Sequence, residues 1–147
     1  MDATDRTLSG LAQKVEAIQK SLVREQCWIC WMTPNDDAPP MTRSKEEMRL
    51  TYHDYLLDLE RRGILFAAGP FVDEKGHRHG AGMLIIRARN RAEAEDIAFA
   101  EPYTKAGQRI MTLTPWQRSE GTLNMRLSFA DGVLEVGNRR YKLSPDA

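Results

Sequence analysis

His53 is the residue of this sequence best placed for proton chemistry. It is one of three histidines, and the other two, His77 and His79, lie in a glycine-flanked turn. At about 100° per residue, His53 falls at the edge of the apolar face of a predicted helix. An imidazole at such an edge can border a cavity and remain partly in water. Because imidazole titrates near neutral pH, it can take or give a proton there.

Glu101 is the predicted partner of this imidazole. It is expected to close a second helix just before Pro102, on the same side of the sheet as His53. A carboxylate that accepts from one imidazole nitrogen leaves the other for a substrate. Arg49, one helical turn before His53, would oppose an imidazolium or hold an anionic substrate through a bidentate contact. The alternative is a purely structural hydrogen bond between His53 and Glu101 at the rim of a helix.

Aromatic residues supply candidate pocket walls. Tyr103 follows Pro102 at a helix end, where its hydroxyl would donate to a developing oxyanion at the mouth of a cavity. Three tryptophans lie on predicted strands and are expected in the core or at a dimer interface, or alternatively against a flat ring substrate: Trp28, Trp31 and Trp116.

Two other patterns are weaker candidates. Cys27 and Cys30 form C-x-x-C, but residues three apart on a strand point to opposite faces, so we expect two buried thiols. His77 and His79 form H-x-H, whereas zinc takes three or four protein ligands. We therefore predict no metal site. The sequence has no phosphate-binding glycine loop, and we expect no organic cofactor.

Composition narrows the class of protein. The 147 residues suffice for one domain with a core, and 21 basic residues balance 21 acidic ones. Such a balance argues against nucleic-acid binding, which needs excess cations. No apolar run is long enough to span a bilayer, and the first residues lack the pattern of a secretory signal. With only two cysteines, a cytoplasmic location is expected.

The predicted elements follow the order strand, helix, strand, strand, helix, strand. The first helix is capped by Ser44, with Glu47 in the capping-box position, and runs to Arg62 before Gly63. The second begins after Asn90, with Glu93 in the equivalent position. The strands are expected at 26–32, 64–71, 81–88 and 108–116. This order is that of the ferredoxin-like βαββαβ fold, an α+β architecture with an antiparallel sheet.

Two extensions flank this domain, giving predicted segments 1–25, 26–118 and 119–147. Apolar residues at spacings of 3, 4, 3 and 4 predict a helix over 4–25 that docks on its own domain or on a partner, or acts as a regulatory arm. Residues 121–143 are typical of a β-meander with turns at Asp131-Gly132 and Gly137-Asn138. One apolar sheet face remains uncovered, which favours a second copy of the chain.

The segment from residue 25 to Trp116 resembles the YCII-related (YciI-like) family. The matching stretches are His53-Asp-Tyr-Leu, Arg62-Gly-Ile-Leu, Ala68-Gly69-Pro70, Gly82-Met-Leu-Ile-Ile, Ala92-Glu-Ala, Glu101-Pro102-Tyr103 and Pro115-Trp116.

The resemblance implies a homodimeric α+β barrel whose pocket pairs a histidine with an aspartate, here His53 and Glu101. The longer glutamate is a departure from the family pattern. Gly69 and Pro70 are expected to contact substrate, together with Arg49 and Tyr103. A relative is a dehydrochlorinase of a chlorinated hydroxyquinol, and muconolactone isomerases share the barrel.

The resulting hypothesis is a small dimeric lyase or isomerase that moves a proton on a cyclic or aromatic oxygenated substrate. The first alternative is a non-catalytic module that binds a small molecule or another protein. The second is a haem-binding relative of the same barrel class.

Overall fold

The computed structural model describes residues 7–22, 24–122, 125–128, 132–136 and 139–144. The chain divides into two compact units. One spans Val23–Arg118, and the other combines Met1–Leu22 with Ser119–Ala147. The predicted three-segment division into functional domains stays a prediction.

The described residues of the smaller unit form one helix and a three-stranded antiparallel sheet. The helix α1 spans Leu8–Ser21, shorter than the predicted 4–25, and Thr7 caps its start. The three strands in the order β5-β6-β7 are Met125–Ser128, Val133–Val136 and Arg139–Lys142. Asp131, Gly137 and Asn138, on which the predicted turns depend, lie outside the described residues.

The larger unit has the ferredoxin-like fold that the sequence predicts. Its four strands pair antiparallel throughout, in the order β2-β3-β1-β4. In chain order its elements are β1 (Glu25–Pro34), α2 (Lys45–Arg61), β2 (Leu65–Val72), β3 (Arg78–Arg87), α3 (Arg91–Ala98), α4 (Pro102–Lys105) and β4 (Arg109–Arg118).

The helix α2 begins as its sequence predicts. Ser44 accepts a hydrogen bond from the Glu47 backbone, and the Glu47 carboxylate accepts one from Ser44, which completes a capping box. Gly63 follows the helix with φ of 69°, the left-handed conformation that suits glycine. Met48 and Leu59 are buried on the face that packs on the sheet.

The region after β3 differs from the prediction. The helix α3 ends at Ala98 rather than near Glu101. Glu101 lies before Pro102, where helical backbone is disfavoured, and adopts φ −58° and ψ 126°. It therefore starts the short helix α4 instead of closing α3. At the start of α3, Asn90 caps as predicted, but the Glu93 carboxylate accepts from the Arg89 backbone.

The two sheet faces have different surroundings within the larger unit. Trp28, Cys30 and Met32 of β1 pack with Leu59 of α2 and Ala94 of α3 in the main core. Both long helices therefore cover the same face. Residues of opposite parity face the other side, where apolar side chains remain exposed at Trp31, Phe71 and Ile110.

The edge strand β2 approaches β3 unusually closely at one pair. Pro70 lies opposite Gly82, and the register shifts between Pro70 and Val72. Proline is tolerated here because the outer side of an edge strand needs no donor. A Cβ added at Gly82 would lie 2.8 Å from the carbonyl oxygen of Gly69, so only glycine permits this approach.

Glu25 joins the two strands that flank β1. Its carboxylate accepts from Arg87 of β3 and, at 2.9 Å, from Arg118 of β4. Both guanidinium groups also lie 5.2 Å from the centroid of the Phe66 ring. The hydrogen bond from Arg87 lowers the pKa of Glu25 below its ordinary value of 4.5.

Glu25→Gln is expected to lower the free energy of unfolding of the domain at neutral pH. It should also make this free energy depend less on pH in acid. A depressed carboxylate pKa contributes stability above the ordinary value, and that contribution is lost as pH falls through the lower folded value. We expect a cost of about 1–2 kcal/mol at pH 7 that shrinks below about pH 4.5. Thermal unfolding from pH 7 to 3 measures it, with Glu60→Gln on α2 as the control. A parallel pH dependence in both variants would contradict the assignment.

Candidate functional site

A cavity of about 330 Å³ opens between α2 and the strands of the larger unit. Its size lies within the range of small-molecule sites. Positively charged and aromatic side chains line it beside small and apolar ones. The lining residues are Met32, Tyr52, His53, Leu56, Ala68, Gly69, Pro70, Arg78, Gly80, Ala81, Gly82 and Arg109.

The imidazole of His53 borders this cavity. The side chain is exposed, and its ring meets Tyr52 edge-on, with 5.6 Å between ring centroids. Within the described ranges, the imidazole makes no hydrogen bond or ion pair. On its other side lies a groove formed by α2 and β2, lined by residues that include Leu57 and Phe66. Both ring nitrogens are therefore available to form hydrogen bonds with a ligand.

Arg109 is a fixed positive charge in the same cavity. It is the first residue of β4, and its side chain is only 21% exposed. The guanidinium lies 4.4 Å from the centroid of the Tyr103 ring and 5.1 Å from that of Tyr52. These aromatic contacts and an ion pair with Glu101 at 3.4 Å hold it in place.

Glu101 is fully buried, and its carboxylate accepts hydrogen bonds from α4 and from Arg109 of β4. Its carboxylate accepts from the Thr104 hydroxyl at 2.6 Å, from the Thr104 N–H at 2.7 Å and from the Tyr103 N–H at 3.2 Å. Arg109 completes the set. A buried carboxylate needs such partners, because an unpaired charge in the interior is very costly. Glu101 therefore caps α4 and anchors Arg109.

The predicted hydrogen bond between His53 and Glu101 is not formed. Helix α3 ends before Glu101, and the carboxylate turns to the N–H groups of α4 that have no helical acceptor. The structure instead brings His53 together with Arg109.

The sequence model of the YCII-related domain matches residues 27–117, well over half of the chain. The chain is a member of the YCII-related family. No curated protein matches it. The match spans all four strands of the larger unit, together with α2, α3 and α4.

The other predicted substrate contacts of this YCII-related domain fall in different places. Gly69 and Pro70 line the cavity. Tyr103 does not line it but stacks on Arg109. Arg49 is exposed and is not part of the lining, and its guanidinium is bound to the Glu46 carboxylate at 2.6 and 2.9 Å. The roles assigned to these residues remain predictions.

Arg109 is a residue of the candidate site that sequence reasoning missed. Its parity on β4 matches Met111 and Leu113, which pack on the helix-covered face. A cation at such a position must be paired or must face a cavity. Strand alternation on β4 could therefore have identified Arg109 as a candidate residue of the site.

Burial raises the pKa of Tyr52, the tyrosine beside the His53 imidazole. The nearby Arg109 guanidinium opposes this rise in part. The Tyr52 hydroxyl is therefore protonated at neutral pH and can donate to a ligand oxygen. Arg78 adds a second positive charge to the lining.

His77, which precedes β3, and His79, which lies on β3, do not line this cavity, and neither do the two cysteines. His77 and His79 are exposed and share Asp73, which His79 contacts at 2.9 Å. In the described part of the chain, no three histidine, cysteine or acidic side chains are grouped to hold a metal ion. Cys27 and Cys30 are free and fully buried, and burial raises the pKa of Cys30 to about 12.

No helix within the described ranges is long and apolar enough to cross a membrane.

Proposed function

We propose that this YCII-related protein is a lyase or isomerase that transfers a proton on a small cyclic or aromatic substrate carrying an anionic oxygen group. One observation carries the proposal: a free imidazole, His53, and a fixed guanidinium, Arg109, line the same cavity. The cavity volume of about 330 Å³ suits a single-ring compound.

Arg109 binds the anionic group of the substrate in this account. The ion pair with Glu101 and the stacked tyrosines restrict the guanidinium before the substrate arrives, so less side-chain entropy is lost on binding. Glu101 thus acts through Arg109 and is a positioning residue. Tyr52 donates to a substrate oxygen.

His53 carries the proton. A neutral imidazole nitrogen takes a proton from a carbon next to the substrate carbonyl, and the C–H electron pair forms a C=C bond. In a dehydrochlorination, the C–Cl bond breaks, chloride leaves with its electron pair, and the imidazolium later returns its proton to water. In an isomerisation, the C=O π pair moves to oxygen to give an enolate. The carbonyl then re-forms as the imidazolium gives its proton to another carbon of the conjugated system.

A substrate screen tests this function. The panel holds small lactones, cyclic enones and chlorinated hydroxylated aromatics, with and without a carboxylate. Proton NMR in deuterated buffer detects deuterium incorporation or elimination, and an electrode detects chloride. We expect turnover of at least one anionic member that is lost in His53→Gln. Turnover that is equal in both proteins would refute the role of His53.

A second candidate is a non-catalytic small-molecule-binding module. The exposure of His53 favours it, because an imidazole left open to water gains little from its surroundings as a base. This candidate predicts binding of panel members, seen as thermal shifts, with no turnover.

We also propose that two copies associate through the uncovered sheet face. Trp31, Phe71 and Ile110 support this, since exposed apolar residues on one face mark interaction surfaces. We expect a dimer in solution, measured by gel filtration with light scattering.

Ile110→Glu is expected to shift that dimer to monomer, because it places a charge in an apolar interface. Leu57→Glu on α2 is the matched control, since Leu57 is 47% exposed and Ile110 is 50% exposed. A dimer that survives Ile110→Glu, or one that both variants disrupt equally, would place the interface elsewhere.

A further inference from the structure

A second cavity, separate from the one at His53, lies where the chain enters α2 and passes α4. Its volume is about 580 Å³, and it shares no lining residue with the His53 cavity. The lining residues are Pro39, Pro40, Met41, Thr42, Arg43, Met48, Thr51, Ala100, Pro102, Lys105 and Ala106.

Two cations and no acidic residue belong to this lining. Arg43 precedes α2 and Lys105 ends α4. Neither side chain makes a hydrogen bond or an ion pair among the described residues. By contrast, other arginines of this unit, such as Arg62 and Arg91, pair with an acid one helical turn away.

Two carboxylates at the start of α2, Glu46 and Glu47, have other hydrogen-bond partners. Glu47, on which Arg43 exerts an electrostatic effect, closes the capping box with Ser44. Glu46 is bound to Arg49 at 2.6 Å. Neither carboxylate forms an ion pair with Arg43 or Lys105.

The walls between the cations are apolar and held in place. Pro39 accepts a hydrogen bond from the Gln108 side chain at 2.6 Å, and Asn35 binds the carbonyl oxygen of Gly107 at 2.8 Å. Gly107 has φ of 73°, and a Cβ there would lie 3.1 Å from Pro39. The buried side chain of Met48 contributes a further apolar surface.

We propose that this cavity is a binding site for a small carboxylate with an apolar body, distinct from the substrate site. The apolar part packs on the prolines and methionines, and the carboxylate pairs with Arg43 and Lys105. The Thr51 hydroxyl already donates to the Glu47 carbonyl, so it offers only its lone pairs. The cations therefore provide the recognition of charge.

The test uses 2-naphthoate as the probe and 2-naphthylmethanol as its neutral counterpart. Calorimetric titration compares the wild type with Arg43→Ala, Lys105→Ala and the double variant, after thermal melting has established that each is folded. A charged hydrogen bond of this kind corresponds to about tenfold in affinity. We expect each single variant to weaken naphthoate binding by about fivefold or more, the double variant by more than either, and the alcohol to be unaffected by any of them.

Arg61→Ala is the control, because Arg61 is an exposed cation of α2 outside the lining. It should bind naphthoate like the wild type. Labelled methyl groups of Met41 and Met48 should shift on titration. No binding by the wild type, unchanged binding by the double variant, or Met41 and Met48 methyl signals that stay in place would each overturn the proposal. This result is independent of whether His53 supports catalysis.

Discussion

His53→Gln is expected to lower turnover by about 10²–10⁴-fold, with the fold and the oligomeric state unchanged. The imidazole is exposed and makes no hydrogen bond within the described ranges, so its loss costs little stability. Glutamine retains hydrogen-bonding capacity but cannot cycle a proton near neutral pH. The measurement is the rate constant kcat on whichever anionic substrate the screen identifies.

His77→Gln is the matched control for this variant. His77 is also an exposed histidine, but it lies in the turn before β3 and contacts Asp73 rather than the cavity. Its turnover should equal that of the wild type. If His53→Gln retained full activity, or if both variants lost it equally, His53 would not be the proton carrier.

Glu101→Ala is expected to destabilise the larger unit by about 3–5 kcal/mol. The change leaves the half-buried Arg109 without its counter-ion and removes the side-chain acceptor for the N–H groups of Tyr103 and Thr104. Urea unfolding at pH 7 measures the cost. Glu60→Ala, an exposed glutamate of α2, should change stability by less than about 0.5 kcal/mol.

Glu101→Gln distinguishes the effect of the carboxylate charge from the effect of the hydrogen bonds that cap α4. The amide oxygen can still accept from α4, but the ion pair with Arg109 is lost. We therefore expect a smaller loss of stability and a rise in KM for anionic substrates, because Arg109 is less well held. A Glu101→Ala protein as stable as the Glu60→Ala protein would show that the buried ion pair has no structural role.

Local sequence signals predicted the framework well. Ser44 and Glu47 form the expected capping box, and Gly63 has the expected left-handed backbone. Apolar runs between turn residues indicated the four strands. Helix periodicity placed the core face of α2, because that pattern arises from burial on one side of a helix.

The candidate site was harder to predict, because it depends on where a helix stops. Pro102 signalled the end of α3, but α3 ends at Ala98, so Glu101 begins α4 instead of closing α3. Its carboxylate accepts hydrogen bonds from N–H groups of α4 and none from His53. Residue spacing alone does not show which partner a carboxylate binds.

The contacts of Arg109 were also not predictable from the sequence. Its position on the helix-covered face follows from strand parity, whereas its contacts with Tyr52 and Tyr103 join three separate segments. Only the tertiary arrangement makes it a fixed cation beside His53.

The most direct test of the account is to observe His53 while a ligand binds. The protein contains three histidines, so ring-labelled imidazole NMR gives three signals, with His77 and His79 as internal controls. Adding an anionic ring compound from the thermal-shift screen should move the His53 signals alone, and Arg109→Gln should weaken this effect at least about tenfold. A ligand that leaves the His53 signals in place, or one that moves them equally in the Arg109→Gln protein, would contradict the claim that His53 and Arg109 act on one molecule.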